Sequence, residues 1–227
     1  MAVKSISSAE PWVPTHPTLP KLIAASKNCQ GCDLYLHATQ TVFGEGPPGA
    51  RIIMVGEQPG DQEDLAGKPF VGPAGRILDK AMLEAGVRRD AVYVTNAVKH
   101  FKFEERGKRR IHGKPNAAQI AACRPWLRAE IQVVEPELVV CLGATAAQSF
   151  LGPSFRITKS HGAFVPHEWA KLVMATIHPS AILRAPDPEQ RHAQYRMFVE
   201  DLARIPKKID LAAWEPEIHT GRKRAVK

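Results

Sequence analysis

The stretch that decides the fold reads Arg51-Ile-Ile-Met-Val-Gly-Glu-Gln-Pro-Gly60, an apolar run that ends in a polar turn. Its first part is apolar at every position from 52 to 55, which is typical of a strand buried on both faces. Three further runs have the same character, at residues 91–95, 138–142 and 171–177. The sequence therefore predicts an α/β fold with a central, mostly parallel, four-stranded sheet covered by helices.

Amphipathic patterns separate these runs. Residues 74–85 carry apolar side chains at helical spacing and are followed by Gly86, a common helix stop. We expect further helices over residues 22–28, 116–134 (interrupted at Pro125), 144–151 and 188–205. Strands that alternate with helices predict a three-layer α/β/α sandwich, whose working residues lie at the carboxyl ends of the strands.

Length and composition limit the domain organisation. The chain has 227 residues, of which 44% are hydrophobic and 24% are charged, and this suits one globular domain. We expect an extended lead-in over residues 1–20, a single domain over 21–205 and a basic tail over 206–227. No apolar run approaches the roughly 20 residues of a membrane span. The N-terminus has no apolar secretion segment, so we expect a cytoplasmic protein with no membrane partner. We also expect it to be a monomer.

The charge balance favours a polyanionic partner. Lysine and arginine number 31 against 23 acidic residues, a net charge of +8. Seven of these cations lie in the segment 99–114, interleaved with Phe101 and Phe103, a pattern typical of a loop that follows a nucleic-acid backbone and stacks on bases. The alternative interpretation is a solvated basic surface.

The four cysteines divide by their surroundings. Cys141 lies within an apolar run and is expected to be a core thiol, because free cysteine is among the most buried residue types. Cys29 and Cys32 form a Cys-x-x-Cys pair, and Cys123 stands apart from them. In a reducing compartment two disulfides are not expected, so three cysteines remain for chemistry.

Polar motifs follow the predicted strands. The segment 56–64 holds four acidic residues in a tight Gly/Pro turn, which suits general-base chemistry, water positioning or stabilisation of a cation. The glycine-rich segment 67–75 leads into a helix start. His178 follows the last strand, opposite the acidic turn, and is expected to be catalytic rather than structural. The alternative for the acidic segment is a solvated turn.

Six motifs follow one another within residues 29 to 205: Gly56-Glu-Gln-Pro-Gly-Asp-Gln-Glu-Asp64, Gly67-Lys-Pro-Phe-Val-Gly-Pro-Ala-Gly75, Thr95-Asn-Ala-Val-Lys99, Ala122-Cys-Arg-Pro-Trp126, Leu142-Gly-Ala-Thr-Ala-Ala147 and His178-Pro-Ser180. In this order they resemble the uracil-DNA glycosylase superfamily, and most closely its iron–sulfur branch, often called family four. The insertion Lys108-Arg-Arg-Ile-His112, together with Gln58 after Glu57, resembles the UdgX group, whose members bind uracil-containing DNA covalently.

The resemblance implies a 4Fe-4S cluster. Family-four enzymes hold it with four cysteines, and here His100 stands where the third would be, so the implied ligands are Cys29, Cys32, His100 and Cys123. Histidine does ligate iron in Rieske centres. A Cys₃His zinc site is the alternative, because the same four residues would satisfy it.

The resemblance also implies a role for each site residue. Phe70 would stack on uracil, Asn96 would read its polar edge, and groups at Gln58 would add hydrogen bonds. The implied catalytic residues are His178 at the uracil oxygen, Glu57 and then Asp61 beside the sugar cation, and His112 as the nucleophile that attacks C1′. The expected DNA contacts are Lys108, Arg109, Arg110, Ser180 and Arg184.

Uracil-containing DNA is thus the expected partner, and single-turnover cleavage of the N-glycosidic bond with a covalent product is the expected activity. Two alternatives remain open. One is a hydrolytic uracil-DNA glycosylase that turns over, in which His112 only contacts DNA. The other is a DNA-binding module that recognises damage without catalysis.

Overall fold

The computed structural model describes residues 8 to 210, and at its centre is a five-stranded sheet with helices on both faces. The strands are β1 Ile52–Gly56, β2 Val92–Asn96, β3 Phe103–Arg106, β4 Arg109–His112, β5 Leu138–Leu142, β6 Phe164–His167 and β7 Ala170–Thr176. The helices are α1 Leu19–Ser26, α2 Asp61–Ala66, α3 Pro73–Glu84, α4 Ala117–Val134, α5 Ala144–Leu151, α6 Ile157–Ser160, α7 Pro179–Leu183, α8 Pro188–Leu202 and α9 Ile205–Lys208.

The sheet confirms the predicted class and adds one strand. Its order is β2-β1-β5-β7-β6, and the four predicted strands β1, β2, β5 and β7 run parallel. The fifth strand, β6, pairs antiparallel with β7 at the edge, so the predicted number of four strands was wrong. This strand has no long apolar run, because its positions are partly exposed and it contains Pro166, a residue that edge strands tolerate.

The strand side chains divide between two cores. Alternate positions such as Met54 and Val140 pack with α3 and α8, while their neighbours Val55 and Val139 pack with α4 and α5. Since successive side chains in a strand point to opposite faces, a strand apolar at every position must be covered on both sides. Cys141 lies in the second core with no exposed surface, as expected.

The basic segment after β2 is an ordered hairpin rather than the loop expected from its composition. Strands β3 and β4 pair antiparallel, with Phe103 opposite His112 and Arg106 opposite Arg109. Gly107 makes the turn with a φ of 61°, a backbone conformation that glycine adopts without strain. The hairpin places His112 at the end of β4, beside the carboxyl edge of the main sheet.

The structure adds detail at both ends of the predicted domain. The lead-in contains a 3₁₀ helix at Glu10–Trp12, and α1 begins at Leu19, because Thr18 caps it and Pro20 lies in the first turn, where a missing N–H costs nothing. At the other end, the predicted helix 188–205 divides into α8 and α9, and Ile209 is buried against the core. Residues 1–7 and 211–227 lie outside the described part of the chain.

Helix α4 runs unbroken through Pro125, which was expected to interrupt it. Proline removes one backbone hydrogen bond, and packing on either side offsets this loss. Trp126 is fully buried, and Cys123 is 4% exposed in the same apolar cluster. The continuous helix thereby links the cysteine region to Glu130, whose buried carboxylate reaches β2.

Candidate active site

Two adjoining cavities open at the carboxyl ends of β1, β2, β5 and β7, where the alternation of strands and helices predicted the site. The larger has a volume of about 660 Å³ and the smaller about 150 Å³. Five residues line both cavities: Gln58, His112, His178, Ser180 and Arg184. The polar motifs that follow the separate strands therefore meet in one place.

The smaller cavity brings together the three residues expected to hold a base, which are Gln58, Phe70 and Asn96, and His178 also lines it. The rings of Phe70 and His178 stand 6.2 Å apart between centroids at an angle of 27°. Gly56 allows this crowding at the end of β1. A Cβ atom there would lie 2.3 Å from Asn96 Oδ1 and 2.9 Å from the Phe70 ring. The cavity therefore offers a flat aromatic face and an amide at its floor.

Glu63, which sequence reasoning did not single out, holds the backbone around this cavity. Its carboxylate, 8% exposed, accepts hydrogen bonds from Gly60 N–H at 3.1 Å and Gly72 N–H at 2.8 Å. Phe70 has a φ of 57°, a left-handed conformation that is uncommon for a residue with a side chain. The hydrogen bond from Gly72, two residues further along the chain, holds the loop in which Phe70 adopts this conformation.

His178 is held in one neutral form. Its Nδ1 accepts the Ser180 backbone N–H at 3.1 Å, so Nδ1 carries no proton and Nε2 carries one. Burial lowers the pKa of His178 to about 4, and the charge of Arg184 acts in the same direction. At neutral pH the imidazole is therefore an uncharged donor that lines both cavities.

Gln58 fixes the orientation of His112. Its Oε1 accepts the Lys102 backbone N–H at 3.1 Å, which identifies Nε2 as the donor end of the amide. That Nε2 lies 3.0 Å from His112 Nε2, and two carbonyl oxygens, those of Lys102 at 3.1 Å and Gly113 at 3.0 Å, also accept from it. An amide nitrogen donates and does not accept, so this contact favours a His112 Nε2 atom without a proton. Gln58 thus acts through its side chain on the hairpin.

His112 is neutral and lies beside a carboxylate. Desolvation in the cavity lowers the pKa of His112, and this outweighs the opposite effect of the Glu57 charge. Glu57 Oε1 lies 3.9 Å from His112 Nε2, and the other oxygen, Oε2, accepts the hydroxyl of Thr145. Thr145 belongs to a motif quoted above, yet nothing in the sequence indicated which carboxylate it meets.

Arg110 and Asp61 occupy different positions from those expected. Arg110 Nε lies 2.6 Å from Asp61 Oδ1, and its Nη1 lies 2.6 Å from the fully buried carboxylate of Asp64. The guanidinium also lies over the ring of Phe103 at 5.0 Å. These contacts fasten the hairpin to α2. Asp61 lines a separate surface depression together with Lys108 and Arg109, away from Glu57.

Three of the four implied metal ligands share one apolar cluster. Cys29, Cys32 and Cys123 are each at most 7% exposed, and none of them is in a disulfide. Trp126 Nε1 donates to Cys29 Sγ at 3.2 Å, and the Lys99 backbone N–H donates to Cys123 Sγ at 3.3 Å.

His100, the fourth implied ligand, is 6% exposed, and burial lowers its pKa to about 4. Buried thiols that accept N–H bonds, together with a neutral imidazole, are donors that an iron–sulfur cluster takes. Within residues 8–210, no three His, Cys, Asp or Glu side chains form a group that could hold a single metal ion.

Comparison with known proteins places this fold and site in a class. A family model described as the uracil DNA glycosylase superfamily matches residues 43–203. The chain belongs to that superfamily.

Similar proteins include a type-4 uracil-DNA glycosylase of Thermotoga maritima, 40% identical over 179 residues, which are 78% of this chain and 86% of that one. The type-4 uracil-DNA glycosylase of Archaeoglobus fulgidus is 33% identical over 183 residues, 77% of this chain and 88% of that one. A type-5 uracil-DNA glycosylase of Pyrobaculum aerophilum is 32% identical over 155 residues, 60% of this chain and 64% of that one. Among residues 8–210, no helix is long and apolar enough to cross a membrane.

Proposed function

We propose that this protein flips uracil out of DNA, cleaves its N-glycosidic bond and becomes covalently attached to the abasic sugar through His112. The observation that carries the proposal is the environment of His112 Nε2. This atom lies 3.0 Å from the Gln58 amide nitrogen and 3.9 Å from a carboxylate oxygen of Glu57, and His112 lines both cavities. The names of the type-4 relatives support the glycosylase activity itself.

The smaller cavity is the proposed site for the extruded base. Phe70 supplies a stacking face, and Asn96, 3% exposed, supplies an amide for the polar edge of uracil. Because a flipped base loses its stacking and pairing in the duplex, the pocket must replace both kinds of contact. An aromatic face beside an amide provides them.

His178 is the proposed electrophile. When the bond between uracil N1 and C1′ breaks, its electron pair stays on uracil, and negative charge develops on the two carbonyl oxygens. The Nε2–H of His178 donates to one of these oxygens. Because the pKa of His178 is about 4, the imidazole that donates is uncharged at neutral pH. Removal of one such preorganised donor typically costs about 10²–10³ in rate.

His112 is the proposed nucleophile. When the sugar enters, the His112 Nε2 atom leaves the Gln58 amide, which keeps the Lys102 and Gly113 carbonyl oxygens as acceptors. Its freed lone pair then forms the new bond to C1′ as the bond to uracil breaks, and the imidazole becomes a cation that keeps its Nδ1 proton. The Glu57 carboxylate stabilises first the oxocarbenium-like sugar and then this cation. A group held by the hairpin next to C1′ has an effective concentration that water cannot match, since effective molarities reach about 10⁵ M or more.

The cluster is proposed to be structural. Cys29, Cys32 and Cys123, with His100, would hold a 4Fe-4S group that cross-links the segment after α1 to α4 and to the end of β2. Three of these side chains already share one buried cluster with two N–H donors to sulfur. When bound, the group supplies rigidity beside the loops that meet DNA.

Uracil-containing DNA is the proposed partner of the basic hairpin, with Lys108, Arg109, Ser180 and Arg184 as the phosphate contacts.

The test is intact mass spectrometry after mixing the protein with a uracil-containing oligonucleotide. We expect free uracil and a protein mass raised by one abasic oligonucleotide. His112→Gly should release uracil without an adduct, because the vacated space admits water. His178→Ala should lower uracil release and adduct formation together. His192→Ala, which changes an exposed histidine of α8, is the matched control and should behave as the wild type.

A hydrolytic enzyme that turns over is the second candidate, favoured by the type-4 names of the relatives. It would release uracil catalytically and leave no adduct in the wild type. A DNA-binding module without activity would release no uracil at all. A His112→Gly variant that still forms a heat-stable adduct would place the nucleophile elsewhere.

A further inference from the structure

Thr145 is a buried hydroxyl that the mechanism above does not use. It is the second residue of α5, directly after the carboxyl end of β5, and 6% of its surface is exposed. Its Oγ1 contacts Glu57 Oε2, which is 88 residues away in sequence. At neutral pH a carboxylate has only acceptors, so the hydroxyl donates.

The position of Thr145 in α5 makes its proton available for this bond. Threonine inside a helix commonly bonds a carbonyl four residues earlier, but in the first turn no helical carbonyl lies at that spacing. The chain enters α5 through Gly143, whose φ is 91°, and a Cβ there would lie 3.0 Å from the Cβ of His178. This close approach brings the start of α5, and with it Thr145, to the cavity.

The bond determines which oxygen of Glu57 is free. Oε2 is engaged by Thr145, and Oε1 is the oxygen that lies 3.9 Å from His112 Nε2. Threonine is stiff at χ1 because it is branched at Cβ, so its hydroxyl holds a fixed direction. A hydrogen bond to a carboxylate also favours its charged form.

We propose that Thr145 is a positioning residue that keeps Oε1 of the Glu57 carboxylate turned toward His112. It thereby speeds attack by the histidine and favours the adduct over hydrolysis. This inference rests on the proposed function, since it assigns Thr145 a role only through Glu57 and His112. Thr145 itself need not touch DNA.

Four other residues with titratable or charged side chains line the same cavity as Glu57. They are His112 on β4, Lys114 after it, His178 before α7 and Arg184 at the end of α7. Substitution at Thr145 leaves these four in place, so a change in rate reports on the contact between Thr145 and Glu57.

The experiment compares Thr145→Val, which keeps the shape but loses the hydroxyl, with Thr145→Ser, which keeps the hydroxyl. Single-turnover rates of adduct formation and uracil release are measured at neutral pH. For Thr145→Val we expect a rate lower by about 10- to 100-fold, the usual worth of a hydrogen bond to a charged group. We also expect a smaller ratio of adduct to hydrolysed sugar and unchanged DNA affinity. Thr145→Ser should resemble the wild type.

A Glu57→Gln background separates positioning from packing. If Thr145 acts through the carboxylate, Thr145→Val should have little further effect on the rate of Glu57→Gln. Equal additional losses in both backgrounds would overturn the inference, as would a Thr145→Ser variant as slow as Thr145→Val. Thr145→Ala replaces Thr145→Val if thermal melting shows that the valine variant is unfolded. A wild type without adduct refutes the proposed function, whereas a Thr145→Val variant with the wild-type rate and the wild-type ratio of adduct to hydrolysed sugar refutes only the role of Thr145.

Discussion

At the scale of single residues, the site depends on which protonation state each histidine holds. The Ser180 backbone N–H donates to His178 Nδ1, and the Gln58 amide nitrogen lies 3.0 Å from His112 Nε2, so these contacts favour opposite tautomers for the two imidazoles. In the proposed mechanism, one presents a proton to the base and the other presents a lone pair to the sugar. Two residues of the same type would thereby perform opposite tasks, because their hydrogen-bond partners differ.

The neutral state of His178 leads to a prediction for NMR. Burial favours the uncharged form, so the folded-state pKa is lowered from the ordinary 6.5 to about 4. The His178 ring signals should therefore stay constant as the pH falls from 8 to 5.5 and move only near 4. A His178 midpoint near 6.5 would contradict the assignment of a neutral donor.

At the scale of elements, Arg110 holds the β3–β4 hairpin against α2, although the sequence predicted that this arginine contacts DNA. Arg110 neutralises Asp61 and the buried Asp64, whereas Arg109 is exposed. Composition alone does not distinguish two adjacent arginines, since both add the same charge to the segment. Strand alternation separates them, because neighbouring side chains point to opposite faces of the hairpin.

This difference predicts divergent effects of two substitutions. Arg109→Ala should weaken DNA binding and reduce the slope of log affinity against log salt by about one, because one phosphate contact is lost. Arg110→Ala should leave the salt slope nearly unchanged and slow adduct formation, because the hairpin that carries His112 loosens. Binding titrations at several salt concentrations, beside single-turnover assays, check both expectations. A reduced salt slope for Arg110→Ala would mean that this arginine binds phosphate after all.

Helix α4 and the segment that follows strand β2 are joined by a buried ion pair. Lys99 Nζ lies 2.5 Å from Glu130 Oε2, and the two side chains are 1% and 0% exposed. Lys99 Nζ also donates to the carbonyl oxygen of Asn96 at 2.8 Å, and Tyr93 donates to Glu130 at 2.9 Å. A buried pair contributes little net stability but leaves a costly charge when one partner is removed. The pair therefore fixes the backbone of Asn96 relative to α4.

The ion pair gives a prediction for stability. Lys99→Met should lower the free energy of unfolding by about 3–5 kcal/mol, because the Glu130 carboxylate remains buried without its cation. Lys99→Met combined with Glu130→Gln should recover much of this loss, since glutamine keeps an acceptor for the neighbouring donors. Urea unfolding of the single and double variants measures both values. A double variant less stable than Lys99→Met would contradict the charge-pair explanation.

At the scale of the whole molecule, the cysteine cluster ties the beginning of the described chain to its centre. The Ala9 N–H donates to the Ala122 carbonyl at 2.8 Å, next to Cys123, and Cys29 follows α1. A group bound by these cysteines would close long loops of the chain. Such closure restricts the unfolded ensemble and raises stability, most for long loops.

The cluster predicts a brown, iron-containing protein. Cys123→Ser should lose iron and lower the melting temperature, because a ligand and the loop closure are both lost. Cys141→Ser should keep the iron, since Cys141 lies in the sheet core. Metal analysis, the visible absorption spectrum and thermal melting check these outcomes. Stoichiometric zinc without iron in anaerobic preparations would favour the Cys₃His alternative.

The sequence by itself determined the class of fold and the position of the site along the chain. Apolar runs such as 52–55 and 138–142 predicted parallel strands. A strand buried on both faces is apolar at nearly every position, and a segment of four or five residues is long enough to show this pattern. The motifs after those strands predicted the cavity residues, because parallel strands bring their carboxyl ends to one edge. Both inferences depend on local pattern and simple topology.

Only the tertiary structure decided which groups act on one another. Gln58 meets His112 across 54 residues, Thr145 meets Glu57 across 88, and Arg110 turns to Asp61 rather than outward. The periodicity of apolar residues indicates which side of an element is buried. A hydrogen bond, however, forms only when the distance between donor and acceptor atoms falls within a range of a few tenths of an ångström. That distance depends on how separate elements pack, because packing fixes positions that no short stretch of sequence contains.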